Sequence, residues 1–130
     1  MIRIATIGTS MITSSFLEVL NASERGRFVG TLSRDPARAE RFSTEHGGER
    51  GFSSIEQVAA ASDVDAVYVG SPNARHCEQA LACIRAGKHV LVEKPVCANH
   101  REAERLLQPR AGTAWSPSRP CARYTTPPFA

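Results

Sequence analysis

A carboxylate and an ammonium stand side by side in Glu93-Lys94, with Pro95 next, directly after the apolar run His89–Val92. Residues that end a buried strand reach the cleft at its carboxyl end, where ligands of open α/β sheets bind. The plain alternative is a turn carrying a Glu93–Lys94 ion pair. A second candidate, Gly8-Thr9-Ser10-Met11-Ile12-Thr13, follows the apolar run Ile2–Ile7. Gly8 suits a tight turn, and a helix opening just beyond it would offer N–H groups and its dipole to a pyrophosphate. Only the first glycine of G-x-G-x-x-G is present. Ser10 replaces the second, where its hydroxyl could bond a phosphate, and Thr13 replaces the third and is small enough for helix–strand packing. An ordinary turn with a threonine cap explains the same residues.

Ser33-Arg34 close the next apolar run. A carboxylate at this place would bond ribose hydroxyls, whereas a hydroxyl and a guanidinium suit a 2′-phosphate, so the pair favours NADP slightly over NAD. Arg34 could also stack on adenine, or be merely solvated beside a helix that Asp35 opens. The last candidate is Ser71-Pro72-Asn73-Ala74-Arg75-His76. Pro72 fixes the loop and Asn73 can cap the following helix. His76 falls on the first turn, where a solvated histidine is commoner than a catalytic one.

These segments need elements to hold them. Strands are expected at Ile2–Ile7, Arg27–Ser33, Asp65–Gly70 and His89–Val92, with a very short one at Gly51-Phe52. Helices are expected from Thr13 to Ala22, from the Asp35-Pro36 cap to about His46, and from a Ser53/Glu56 capping box through Ala61. Two more run from Ala74 to Ala86, closed by Gly87, and from the Asn99/Glu102 cap to Leu107. Such alternation implies right-handed βαβ units. The expected fold is an α/β, doubly wound (Rossmann) parallel sheet, incomplete after the fifth strand-helix unit.

Composition narrows the function. The chain has 130 residues, 42% hydrophobic and 22% charged, in the range of one ordinary soluble domain. No apolar run approaches the roughly 18 residues of a membrane span. Met1-Ile2-Arg3-Ile4 leads directly into strand-like sequence, so no secretory signal is expected. Cys77, Cys83, Cys97 and Cys121 form no C-x-x-C pair, which argues against common zinc and thioredoxin patterns and suits a reducing cytoplasm. No metal site is expected. The net charge of +3 falls entirely on Arg110, Arg119 and Arg123. The remainder is neutral, without the basic face a nucleic-acid partner would require.

The segments Gly8-Thr9-Ser10, Ser33-Arg34, Ser71-Pro72-Asn73-x-x-His76 and Ala86-Gly87-Lys88-His89-Val90, with Glu93-Lys94-Pro95, occur in the order and spacing of a known family. Together they resemble the nucleotide-binding half of the Gfo/Idh/MocA oxidoreductases over residues 2–107. Ala86–Pro95 carries the most specific part of the likeness. The resemblance implies hydride transfer between NAD(P) and a sugar or polyol hydroxyl carbon. Lys94 would contact the nicotinamide ribose and the substrate, as the catalytic residue. Glu93 and Pro95 would shape its loop, and Asn73 and His76 would line the cofactor cleft beside Gly8, Thr9, Ser10, Met11 and Ile12. A lysine there makes chemical sense, because once partly desolvated it can polarise an oxygen or support proton transfer.

Family members continue into a further α/β domain that contacts substrate, so this chain alone is expected not to turn over. A catalytically silent nucleotide-binding or interaction module, or a non-functional truncated fragment, is the alternative. Residues 108–130 hold five of the eight prolines and no Leu, Ile, Val or Met. They are expected to form a disordered tail, either genuine or the product of a frameshift at Gln108. The expected domain is therefore 1–107.

Overall fold

Ile2–Ile7 (β1) lies at the centre of a parallel sheet, flanked by Gly26–Leu32 (β2) and Ala66–Val69 (β3), with His89–Val92 (β4) beyond β3. The computed structural model describes residues 1–108; the tail expected over 108–130 lies, apart from Gln108, outside the described residues. The strand order β2-β1-β3-β4 reverses direction at β1, which sets the switch point between the carboxyl ends of β1 and β3.

Both faces of the sheet are covered because β1 and β2 alternate between two cores. Ala5, Ile7, Val29, Val67 and Val69 pack with Val58 of Ile55–Ala60 (α3) and Cys83 of His76–Arg85 (α4). On the other side, Phe28 packs with Leu17 and Leu20 of Met11–Ala22 (α1) and Phe42 of Pro36–Glu45 (α2). Each large side chain buried this way contributes about 1.5–3 kcal/mol. Buried polar groups are satisfied: Thr6 Oγ1 donates to Thr31 Oγ1 at 2.7 Å, and the Thr31 N–H donates to Ser43 Oγ at 3.0 Å. Thr31 Oγ1 in turn lies 3.0 Å from the Gly8 carbonyl oxygen and secures the turn after β1.

The helix ends show what local sequence does. Asp35 accepts from the Ala37 and Arg38 N–H groups at 3.0 and 3.3 Å, with Pro36 opening α2. Asn99 accepts from the Glu102 N–H at 3.0 Å to start His100–Leu107 (α5). Gly87, at φ +79°, ends α4: its N–H reaches the Ile84 carbonyl and the Lys88 N–H reaches that of Cys83. The ammonium of Lys88 then bonds the Ala61 and Val64 carbonyls at 2.5 and 2.7 Å, closing the open end of α3.

Four expectations need correction. The short strand at Gly51-Phe52 is a single bridge from Phe52 to Leu32, so four strands, not five, are described. The cap of α3 is Ser54, not Ser53; it accepts from the Gln57 N–H at 3.2 Å, while Gln57 Oε1 accepts from the Ser53 N–H at 2.9 Å. Helix α1 begins at Met11, not Thr13, and its cap is Ser10 rather than a threonine. Asn73 caps nothing: Asn73–Arg75 is a 3-10 turn led by the extended Pro72, and α4 starts only at His76 without a side-chain cap.

Candidate functional site

An open cleft of about 1500 Å³ runs across the carboxyl ends of the strands. Of the residues expected to hold the cofactor, all border it except Met11, which is 88% exposed; Thr13, buried, and Pro95 lie outside its lining too. Met11 occupies the first turn of α1, and its side chain falls on the solvent face of that helix.

The turn after β1 forms one wall. Gly8 sits at φ +104°, and a Cβ there would stand 2.7 Å from the Gly70 carbonyl oxygen. Only glycine fits this crossing of two loops. Ser10 is extended (φ −77°, ψ 167°); its hydroxyl accepts from the Thr13 N–H at 3.4 Å and borders the cleft. Thr13 is fully buried and contacts Gly70, as a small residue at that position must. No acidic side chain lies in the first turn of α1, so its N–H groups keep their positive end free for an anion. Thr9 and Ile12 border the same mouth.

At the end of β2, Ser33 and Arg34 are joined by Arg38, from the first turn of α2. Among the described residues, neither arginine has a carboxylate partner. The nearest acid in sequence, Asp35, is turned into its helix cap. Sequence reading missed Arg38, although a basic residue one turn into a helix whose start is already marked by Asp35-Pro36 was the available signal.

The opposite wall holds Ser71, Pro72, Asn73 and His76 from the loop after β3, and Glu93 and Lys94 from the loop after β4. His76 is not solvated: it is 1% exposed, with Nδ1 2.9 Å from the Pro95 carbonyl oxygen and Nε2 2.5 Å from that of Ser71. Ser71 Oγ also donates to Gln79 of α4. Glu93 does not pair with Lys94. Its Oε1 accepts from the Tyr68 hydroxyl at 2.5 Å, and burial, reinforced by Glu93, holds that phenol well above its ordinary pKa. Tyr68 was not singled out from the sequence. Its signal was a lone polar tip within a buried strand, which requires a partner. Among the described residues Lys94 is exposed and has no carboxylate partner.

The elements fit a dinucleotide: a glycine cradle no side chain could enter, an acid-free helix opening at α1, and two arginines with a serine along the cleft at the end of β2. Among the described residues no cluster of His, Cys, Asp or Glu could hold a metal ion, and no helix is long and apolar enough to cross a membrane. Fold and cleft thus define a doubly wound, dinucleotide-binding class of protein.

Comparison with known proteins makes the assignment specific. The profile of the Gfo/Idh/MocA oxidoreductase family, NAD-binding Rossmann fold, matches residues 2–112, and the chain belongs to that family. It is 43% identical over 107 residues to scyllo-inositol 2-dehydrogenase (NADP(+)) of Bacillus subtilis, covering 82% of this chain and 33% of that protein. It is 37% identical to 1,5-anhydro-D-fructose reductase of Ensifer adhaerens, covering 81% and 32%. Among solved structures it resembles KijD10, a 3-ketoreductase from Actinomadura kijaniata in complex with TDP-benzene and NADP. The TM-score is 0.75 at 39% identity, over 81% of this chain and 33% of that one. The chain spans about a third of the length of these relatives.

Proposed function

We propose that residues 1–107 bind NADP(H) in this cleft, with NAD(H) the weaker ligand, as the nucleotide-binding domain of an oxidoreductase acting on a sugar or polyol hydroxyl carbon. The observation that carries the reading is the end of β2, where Ser33, Arg34 and Arg38 gather while Asp35 is spent on its helix cap. That leaves two cations and a hydroxyl for a 2′-phosphate, with the acid nearest in sequence engaged in a helix cap instead of facing a ribose 2′-hydroxyl. The relatives named for NADP agree with it.

In this reading Gly8, Thr9, Ser10 and Ile12 carry the pyrophosphate on the opening of α1. Ser71, Pro72, Asn73 and His76 line the nicotinamide half, and Lys94 stands where that half meets the substrate. The cofactor supplies or accepts the hydride. The protein orients it, and Lys94 steadies charge on the substrate oxygen and passes its proton.

Isothermal titration of the 130-residue chain with NADPH and NADH tests the reading. NADPH is expected to bind at least as tightly as NADH. A clear preference for NADH overturns the selectivity, and failure to bind either overturns the site.

A further inference from the structure

Lys94 itself is unpartnered among the described residues, yet both of its neighbours in the chain are tied down. On one side, the Tyr68 hydroxyl donates to Glu93 Oε1 at 2.5 Å. The Tyr68 ring lies flat on Phe16 of α1, with centroids 4.1 Å apart and planes within 6°, and the residue is 2% exposed. On the other side, the ring of the buried His76 is wedged between two carbonyl oxygens, Nδ1 2.9 Å from that of Pro95 and Nε2 2.5 Å from that of Ser71; a neutral ring donates to one and packs against the other.

We infer that Tyr68 and His76 are positioning residues for Lys94, two clamps that fix the backbone on either side of it and leave its ammonium free in the cleft. The inference rests on the reading that Lys94 meets the nicotinamide end of the cofactor. The Tyr68 clamp does more than hold the loop. Glu93 is the acid adjacent to Lys94, and a carboxylate without its phenol partner would be free to draw the ammonium out of the cleft. The His76 clamp joins the loops after β3 and β4, so the two walls of the nicotinamide half move together. Small misplacements of such a group have large kinetic consequences.

The chain contains only two lysines, Lys88 and Lys94. Protein labelled with 15N-lysine therefore gives two backbone amide signals, and that of Lys88, whose ammonium closes α3, reports on folding. NADPH is expected to shift the Lys94 signal of the parent, and adenosine 2′,5′-bisphosphate, which lacks the nicotinamide half, is expected to leave it in place. Tyr68→Phe keeps the ring on Phe16 and removes the hydroxyl. It should weaken NADPH binding by about tenfold, leave the bisphosphate unchanged and abolish the defined Lys94 shift. His76→Leu should do the same, and His76→Asn, with an N–H near the place of Nδ1, should recover part of it. Where His76→Leu fails to fold, Tyr68→Phe decides. A parent Lys94 signal indifferent to NADPH removes the reading of Lys94 and this inference with it. A responsive parent with equally responsive Tyr68→Phe and His76→Leu variants overturns the positioning role alone.

Discussion

Gly8 and Gly70 meet where the strand order reverses, so closely that a methyl group on Gly8 would stand 2.7 Å from the Gly70 carbonyl oxygen. The contact draws the loops after β1 and β3 together and forms the floor of the cleft. Gly8→Ala adds a backbone strained at φ +104° to that overlap. The expected loss of stability is about 2–4 kcal/mol. Urea denaturation measures it, and a loss below about 0.5 kcal/mol, the range of an ordinary surface substitution, would show that the loops can part.

Arg3 and Asp65 join the starts of β1 and β3 through side-chain bonds of 2.8 and 3.0 Å and a bond of 2.9 Å from the Arg3 N–H. Those bonds hold the Asp65 carboxyl far below the ordinary carboxylate range. Arg50, bonded to Asp63 at 2.7 Å through both nitrogens, lowers that carboxyl too. A carboxyl depressed in the fold contributes stability that is complete above its unfolded pKa of about 4 and is lost as pH falls towards the folded value. Asp65→Asn should therefore cost stability at pH 7 and progressively less below about pH 4. The pairs are well exposed, so added salt should shrink the difference. Urea midpoints for parent and variant between pH 7 and 3 test this; a constant difference across the range would sink the assignment.

The fold is legible in the sequence wherever the signal is local. Asp35-Pro36 and Asn99 with Glu102 announce their helices, and Gly87 ends one, because each acts within a turn of itself. The segment Ser53-Ser54-Ile55-Glu56-Gln57 contains two overlapping capping boxes, and local chemistry does not choose between them. The bridge from Phe52 to Leu32 places the chain so that Ser54 takes the cap. The site divides the same way. The cleft residues follow from their place after strands, but the burial of His76 depends on a carbonyl 19 residues away, and the role of Tyr68 on a carboxylate 25 residues away. Such partners become visible only once β3 and β4 lie side by side.

Lys88 is the other lysine of the segment that carries the family likeness, and its role is structural. Its ammonium satisfies the Ala61 and Val64 carbonyls at the end of α3. Lys88→Leu leaves both short of a donor in a half-buried place, at an expected cost of about 1–3 kcal/mol. NADPH affinity, measured well below the unfolding transition, should stay within about twofold, a difference of about 0.4 kcal/mol. A large loss of affinity with stability intact would place Lys88 in the binding machinery instead.

Arg34 and Arg38 approach the end of β2 from two directions, one from the loop and one from the first turn of α2. Both ligands share the adenosine, pyrophosphate and nicotinamide, so a contact to the 2′-phosphate is the one interaction that separates them. Arg34→Ala should accordingly weaken NADPH by about 1–3 kcal/mol more than it weakens NADH. Arg38→Ala should act in the same sense, and the pair should be less than additive, since two guanidinium groups on one phosphate share its charge. If Arg34 serves instead by stacking on adenine, its removal weakens both cofactors alike. Titrations of both cofactors against parent, single and double variants distinguish the two. Repeating them at higher salt adds a second criterion: a phosphate contact at this exposed end weakens with ionic strength, and the preference for NADPH should narrow with it.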